Sequence, residues 1–395
     1  MPESLVATAF KKHPLYPSFI QVKNRLSDGG YVCWVAGGAV RDFILNRIPF
    51  DLDLVTDATT EQIMMIFPEA IPVGIQFGVV KIPVGNHHVF DLATFRRESD
   101  YIDGRRPSHV DFATPAEDAL RRDFTINALF WDDQTQKIQD FVDGVQDIEK
   151  RMLRCVGDAQ VRFAEDHLRI LRLLRFQVQL KFEIESATRD AALENVQLLQ
   201  KISGERIWTE FEKMIPAIEY SSWNRDILAL SILRTLFPIQ NPVTMVLPQT
   251  ENLELALEYF LLFLIKSTFD REQMRECLRE RMRASRDELK AYDTILLCSE
   301  TLMSPVELAF ESEKNGLIVS VCRMLASMGL FSEERNAELQ KRVEKKPPKL
   351  VDGNDLMGLV APTEMGAILK KIRLRQWEQP ELSKTELLKP YLSTK

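Results

Sequence analysis

Residues 31–56 read YVCWVAGGAVRDFILNRIPFDLDLVT, and the fold turns on how that stretch is parsed. A β-branched and aromatic run over 31–36 meets Gly37-Gly38, and a helical run follows over 40–46. Strand, glycine turn and helix in that order leave backbone N–H groups at Gly37 and Gly38 able to hold a phosphate, with Arg41 one turn along to add charge. A second strand is expected over 51–56. On it Asp51 and Asp53 are two residues apart, so their carboxylates share one face while Leu52 and Leu54 share the other. Such a pair suits Mg²⁺, a hard cation that takes oxygen ligands and shares them with substrate phosphates. Alone, a DxD is also what a solvated strand end carries. The upstream glycine turn with Arg41 and Asp42 gives this one its meaning.

Working outward, further short strands are expected over 79–84, 88–95 and 137–142, alternating with helices over 60–67 and 115–128. From about residue 146 the strand signals stop. Helical periodicity takes over across 165–179, 205–218, 253–266, 271–296 and 305–326, broken by Pro- and Gly-containing turns. The run KKPPK at 345–349 reads as a linker. An α+β plan follows: a head of mixed sheet and helices over 1–145, a helical neck over 146–215, a helical body over 216–345 and a small basic tail over 346–395.

The 395 residues are 45% hydrophobic and 28% charged, which excludes a disordered or fibrous chain. The longest wholly apolar run, 259–265, is closed by Lys266 and is too short for a membrane span. The first residues, MPESLVATAFKKH, show no secretory pattern, so the expected compartment is the cytoplasm, with no membrane and no protein partner evident. Five scattered cysteines, none in a CxxC pair, argue against a disulfide framework. The net charge of −7 hides an asymmetry: residues 341–395 hold 12 Lys and Arg against 7 Asp and Glu, whereas residues 1–150 hold 15 against 22. Lys370, Lys371, Arg373 and Arg375 cluster in the basic end, where they would contact a polyanion or form a solvated helix face.

A helix expected to begin near Glu165 carries Asp166, Arg169, Arg172 and Arg175 at steps of three, an oblique polar stripe beside Leu168, Leu171 and Leu174. Carboxylate and guanidinium together offer acceptors and fixed donors that could match the edges of nucleobases. Without context the same stripe is an ordinary charged helix face.

Several motifs in order, GGAVRD (37–42), DLD (51–53), FRRESDYIDGRRP (95–107), RRDFTINAL (121–129), DFVDGVQDI (140–148), EDHLRILRLLRF (165–176) and SGERIWTEF (203–211), resemble the signature of the class II tRNA nucleotidyltransferase and bacterial poly(A) polymerase family, within the polymerase-β-like nucleotidyltransferases. The likeness spans roughly residues 30–215. It implies a polymerase-β-like head in which Asp51 and Asp53 bind Mg²⁺, with Asp91 completing a carboxylate trio. It further implies that Gly37, Gly38 and Arg41 cradle a triphosphate, that Arg122 and Asp123 hold the ribose, and that Asp166 and Arg169 template the base, with Arg172 and Arg175 alongside. The implied partners are the tRNA 3′ end, CTP and ATP, the tail cations touching tRNA. The implied reaction is template-independent CCA addition. A-only addition and poly(A) synthesis are the alternatives within the family, and a catalytically silent RNA-binding relative is the alternative outside it. The segment VGIQFGVVKIPV (73–84) favours the tRNA-directed branch, and the charged loop 95–107 would act as a lid that reshapes the pocket for ATP after CTP.

Overall fold

The computed structural model describes residues 2–73, 78–85, 88–101, 107–223, 225–240, 247–248, 250, 252–300 and 303–392, with residues 2, 98–101 and 107–110 described by backbone alone. Residues 74–77 and 102–106, parts of two segments singled out above, lie outside this set, as do Arg105 and Arg106. Two compact units divide the chain, Met1–Phe237 and Pro238–Lys395.

Among the described residues the first unit holds eight strands of three or more residues: β1 (Trp34–Ala36), β2 (Asp53–Thr56), β3 (Val79–Val84), β4 (His88–Thr94), β5 (Arg96–Tyr101), β6 (Pro107–Phe112), β7 (Leu129–Asp132) and β8 (Lys137–Asp140). Six make a mixed sheet in the order β3-β4-β2-β1-β7-β8. Strand β4 alternates as its sequence requires, burying Phe90, Leu92 and Thr94 and leaving Asp91 and Ala93 more open. Strand β7, LFWD, lies between β1 and β8 and is buried at all four positions. Ala36, Val55, Phe95, Ala119, Ala128, Phe130 and Val156 form a core, in which Phe95 and Phe130 meet edge to face at 5.8 Å. Elsewhere the helices Pro2–Lys11, Tyr16–Asp28 and Gly38–Ile44 pack through Phe10, Phe19 and Phe43, with Phe10 4.9 Å from Phe19 and 5.5 Å from Phe43.

Departures from the sequence reading have local causes. The first strand opens at Trp34 rather than at 31, because the Val32 N–H donates to Asp57 Oδ1 (2.8 Å) instead of joining a ladder. Asp51 precedes β2 rather than lying in it. The helix expected over 115–128 stops at Leu120; Asp123 Oδ1 accepts from the Phe124 N–H at 2.8 Å, a local bond that competes with helix continuation. The charged loop is a ribbon over much of its length, β5 pairing antiparallel with β6 from Arg96 opposite Phe112 to Tyr101 opposite Pro107. Strand structure also continues past 146, in a parallel pair of two-residue strands, Met152–Leu153 and Glu183–Ile184.

The rest of the first unit and the second unit are helical. The helix expected over 271–296 is broken: Arg271–Glu276 runs into a π turn at Cys277–Arg281, Arg283 takes φ 60°, and the helix restarts at Arg286. The tail carries its own small core of Val351, Leu356, Ile372 and Leu387. None of the five cysteines is in a disulfide, and among the described residues no helix is long and apolar enough to cross a membrane.

Gly144 opens the helix Gly144–Glu149 against the Thr125 carbonyl, and a Cβ there would lie 2.2 Å from Thr125 O. Backbone cannot yield as a side-chain tip can. Gly144→Ala should therefore destabilise the first unit by about 2–3 kcal/mol. A thermal melt lowered by less than ~2 °C would contradict this.

Candidate active site

The site is built around the ends of three neighbouring strands. Ala36 at the end of β1 pairs with Asp53 at the start of β2. Parallel pairing of Leu54 with Leu92 then sets Asp53 beside Asp91 on the same face of the sheet. Asp51 lies two residues upstream. Gly37 follows Ala36 at φ +70°, its N–H donating to Leu129 O at 2.8 Å. A Cβ at Gly37 would stand 3.1 Å from the Arg122 guanidinium, so both the backbone angle and the space call for glycine.

Desolvation raises the Asp53 carboxyl above its ordinary value, and the Asp51 and Asp91 carboxylates push it further, against Arg122 and Lys81. The acidic face therefore carries unbalanced negative charge. The expected trio is not assembled as three ligands. Among the described residues no group of three His, Cys, Asp or Glu stands at metal-holding spacing, and Asp91 takes Lys81 Nζ across β3 and β4 at 2.5 Å. Asp51 and Asp53 remain as a carboxylate pair. That donor set fits Mg²⁺, which is typically bound through one or two carboxylates plus substrate phosphates.

Behind the pair runs a ladder of buried ions. Asp118, fully buried, accepts from Arg121 Nη2 (2.7 Å) and from Arg122 Nε (3.0 Å) and Nη2 (2.9 Å). Its burial opposes ionisation, but the two guanidinium groups outweigh this and hold its carboxyl below the usual range. Arg122 also donates to Asn127 O (3.3 Å) and lies 4.8 Å over the Phe130 ring. Asp123 faces the other way: Arg172 donates to its Oδ2 through Nε (2.9 Å) and Nη2 (2.5 Å), and Asn127 Nδ2 donates to Oδ1 (3.2 Å). Burial works against the Asp123 charge, yet Arg172, the Phe124 N–H and Arg169 carry its pKa down to about 2. Asn127 Oδ1 in turn accepts from Arg41 Nη1 (2.6 Å), and Arg41 is locked to Asp42 through Nε (2.9 Å) and Nη2 (2.8 Å).

The expected stripe is thus redistributed. Asp166 lies outside the helix, extended in the break between Ala159–Glu165 and Leu168–Leu180; its Oδ1 accepts from the Leu168 N–H at 3.1 Å and pairs with Arg206 at 3.5 Å. Arg169 is buried on Glu165 (2.8 Å), Arg162 O (3.1 Å) and Arg121 O (3.0 Å). Arg172 goes to Asp123, and Arg175 pairs with Glu210 at 2.9 Å. Each arginine meets its own carboxylate because burial demands it. Asp118, Asn127, Lys81, Glu210 and Arg206 escaped the sequence reading, although Asn127, Arg206 and Glu210 sit inside quoted motifs and Lys81 inside the quoted segment 73–84. In the second unit Arg373 turns inward to Glu313, Pro347 O (2.9 Å), Pro348 O (3.2 Å) and Gln376 (2.7 Å). Lys370 pairs with Glu311 at 2.9 Å and keeps much of its exposure, while Lys371 and Arg375 are exposed.

Residues 33–154 match the family described as Poly A polymerase head domain, and residues 181–243 the family described as Probable RNA and SrmB- binding site of polymerase A. A CCA-adding enzyme of Lactococcus lactis subsp. lactis is 44% identical over 211 residues, which cover 52% of this chain and 53% of that one. One of Lactobacillus helveticus is 45% identical over 194 residues, 49% and 48% of the two chains. The chain spans about half the length of the curated relatives it matches. In fold, it resembles the Bacillus stearothermophilus CCA-adding enzyme in complex with CTP (TM-score 0.73, 24% identity, 96% of this chain and 97% of that one). It also resembles the Thermotoga maritima CCA-adding enzyme complexed with tRNA-CCA (TM-score 0.68, 19% identity, 98% of each chain).

The depressed Asp123 carboxyl has a consequence for acid stability. A carboxylate whose folded pKa lies below its unfolded value stabilises the fold above the unfolded pKa, and that stability drains away as pH falls through the folded one. From an ordinary 3.8 to about 2 the contribution is about 2 kcal/mol, lost between roughly pH 4 and pH 2. Asp123→Asn should remove this slope and, by leaving Arg172 buried without its charge partner, cost about 3–5 kcal/mol at pH 7. Urea unfolding across that range measures both; an unchanged acid limb would contradict the assignment.

Proposed function

We propose that this chain, whose residues 33–154 match the family described as Poly A polymerase head domain, adds CCA to the 3′ end of tRNA from CTP and ATP without a nucleic-acid template. The observation that carries the reading is the Asp51–Asp53 pair, left electrostatically unbalanced beside the Gly37 turn, in a half-chain 44% identical to a CCA-adding enzyme. Mg²⁺ held by Asp51 and Asp53 would activate the RNA 3′-hydroxyl and neutralise the departing pyrophosphate. Arg122, clamped by Asp118 between Gly37 and Asp53, supplies fixed positive charge for the triphosphate. Arg41 and Asp123 position this wall from behind rather than meeting the ribose themselves. Asp166 with Arg206 offers an acceptor and a donor for the edge of the incoming base. In the tail, Lys370, Lys371 and Arg375 contact the tRNA backbone. Five cysteines outside any disulfide suit a reducing compartment such as the cytoplasm.

Incubation with tRNA lacking CCA, tRNA lacking only the terminal A and an unrelated RNA, each with CTP, ATP or both, tests the reading. Sequenced products should show two C residues and one A on the first and one A on the second. A-only products or long A tails would replace the reading with another of the same family.

Asp51→Asn or Asp53→Asn keeps the shape and removes a charge. Incorporation at saturating Mg²⁺ should fall at least a hundredfold while tRNA affinity stays within about twofold, and more than a tenth of parental turnover would sink the assignment.

Asp166→Ala should blur nucleotide choice more than it slows chemistry. An unpaired base edge costs about 1–3 kcal/mol, roughly a tenfold to hundredfold loss of discrimination against UTP and GTP. A variant as selective as the parent would rule out the base contact.

A further inference from the structure

The four residues that lead into the acid pair, Arg47-Ile48-Pro49-Phe50, use their surface in an unusual way. Phe50 is 98% exposed and Ile48 83%, whereas Pro49 between them is buried, as is Leu52 just beyond. The backbone beneath them is held. Asn46 takes φ 55° and the Arg47 N–H donates to Asp42 O at 2.7 Å. His13, itself buried, fixes the other end. The Leu15 N–H donates to His13 Nδ1 (3.2 Å), so Nε2 carries the hydrogen and donates it to Pro49 O at 3.0 Å. A phenyl ring is therefore held in water by an anchored strap, one Cα step of about 3.8 Å from Asp51.

We propose that Phe50 is a stacking platform for the terminal base of the RNA being extended, a contact that rests on the reading of the site as an RNA 3′-terminal nucleotidyltransferase. The 3′-hydroxyl that reacts at Asp51 and Asp53 belongs to a nucleotide whose base lies within one nucleotide's span of that pair. The incoming base is read at Asp166, so the terminal base of the RNA is the one left without a partner. Its identity also varies, from whichever base the tRNA ends in at the first step to C at the second and third. Hydrogen-bonding groups would favour one base over the others, but every base has a π face, and aromatic stacking accepts them all. Exposed Arg47, three residues before Phe50 in the chain, suits the phosphates of the same RNA strand.

The test is a variant series at one position, read by steady-state kinetics on a CCA-lacking tRNA and by fluorescence anisotropy of the labelled tRNA without nucleotide. Phe50→Ala should raise the KM and Kd for tRNA roughly tenfold to a hundredfold, the loss of one stacked base. The KM for CTP and ATP, and kcat at saturating tRNA, should stay within about threefold. Phe50→Tyr keeps the ring and should restore tRNA affinity; Phe50→Leu keeps the apolar bulk but lacks a π face and should not. Unchanged tRNA binding in Phe50→Ala, an effect confined to the nucleotide KM, or rescue by Leu as complete as by Tyr would each overturn the platform. If the parent chain extends no RNA at all, the nucleotidyltransferase reading fails by itself, and the anisotropy series still decides whether Phe50 binds RNA.

Discussion

The ion pair between Asp123 and Arg172 is the constraint on which the first unit depends. A carboxylate with so little solvent keeps its charge only while a guanidinium and backbone donors surround it, and removing either member leaves a buried ion without compensation. The pair joins residues 49 apart, one in the turn before β7 and one in the helix Leu168–Leu180. Its geometry is carried onward by Asn127, which donates to Asp123 and accepts from Arg41. The sequence Arg121-Arg122-Asp123 thereby becomes a two-sided clamp. Both arginines reach back to Asp118, the aspartate reaches forward to the neck, and the intervening backbone has no freedom to continue the helix that began at Pro115.

That rigidity is what lets the site itself stay unsatisfied. Asp118 and Asp123 lie below their ordinary range because guanidinium groups answer them, whereas Asp53 lies above it because burial strips its solvent and the Asp51 and Asp91 carboxylates add repulsion. A fold tolerates such repulsion only where other interactions over-determine the positions. Here the β1–β2 and β2–β4 ladders and the core under Leu54 and Leu92 hold the acids in place. The contrast between answered and unanswered carboxylates within one sheet-and-turn unit is what marks the Asp51–Asp53 region as the candidate site and the Asp118 and Asp123 pairs as structural.

Which parts of this could be read from sequence follows from the range of each interaction. Alternation is local, so the exposure of Asp51 and Asp53 around buried Leu52 and the half-open face of β4 were legible, although Asp51 falls just outside the strand. A helix stripe tells which way Arg169, Arg172 and Arg175 point but not what stands opposite, and their partners Glu165, Asp123 and Glu210 lie 4, 49 and 35 positions away. The charge stripe therefore read as an open wall when it is a set of internal ion pairs. The ribbon β5–β6 was illegible for another reason. Its strands carry Arg, Glu, Ser and Asp where a half-buried strand would carry alternating apolar residues, so composition alone reads them as loop. The helix end at Leu120 was hidden because Asp123 acts by capping the Phe124 N–H, a bond that no periodicity announces.

The same distinction between answered and exchangeable charge applies to the tail. Its excess of cations does not mean equal availability to a polyanion, because some of those charges are already spent on the protein. Arg373 is nearly enclosed by Glu313, Gln376 and two proline carbonyls, and it ties the linker to the helix Met365–Glu378; giving it to a phosphate would break several bonds to gain one. The Lys370–Glu311 pair is largely exposed on the lysine side, and an exposed ion pair contributes only about 0–1 kcal/mol. A phosphodiester can displace that carboxylate at little net cost, with counterion release adding to the gain. Lys371 and Arg375, exposed on the same helix, need no such exchange. On such a surface a polyanion would meet the weakly paired lysine and its exposed neighbours, while the strongly paired arginine holds the helix that carries them.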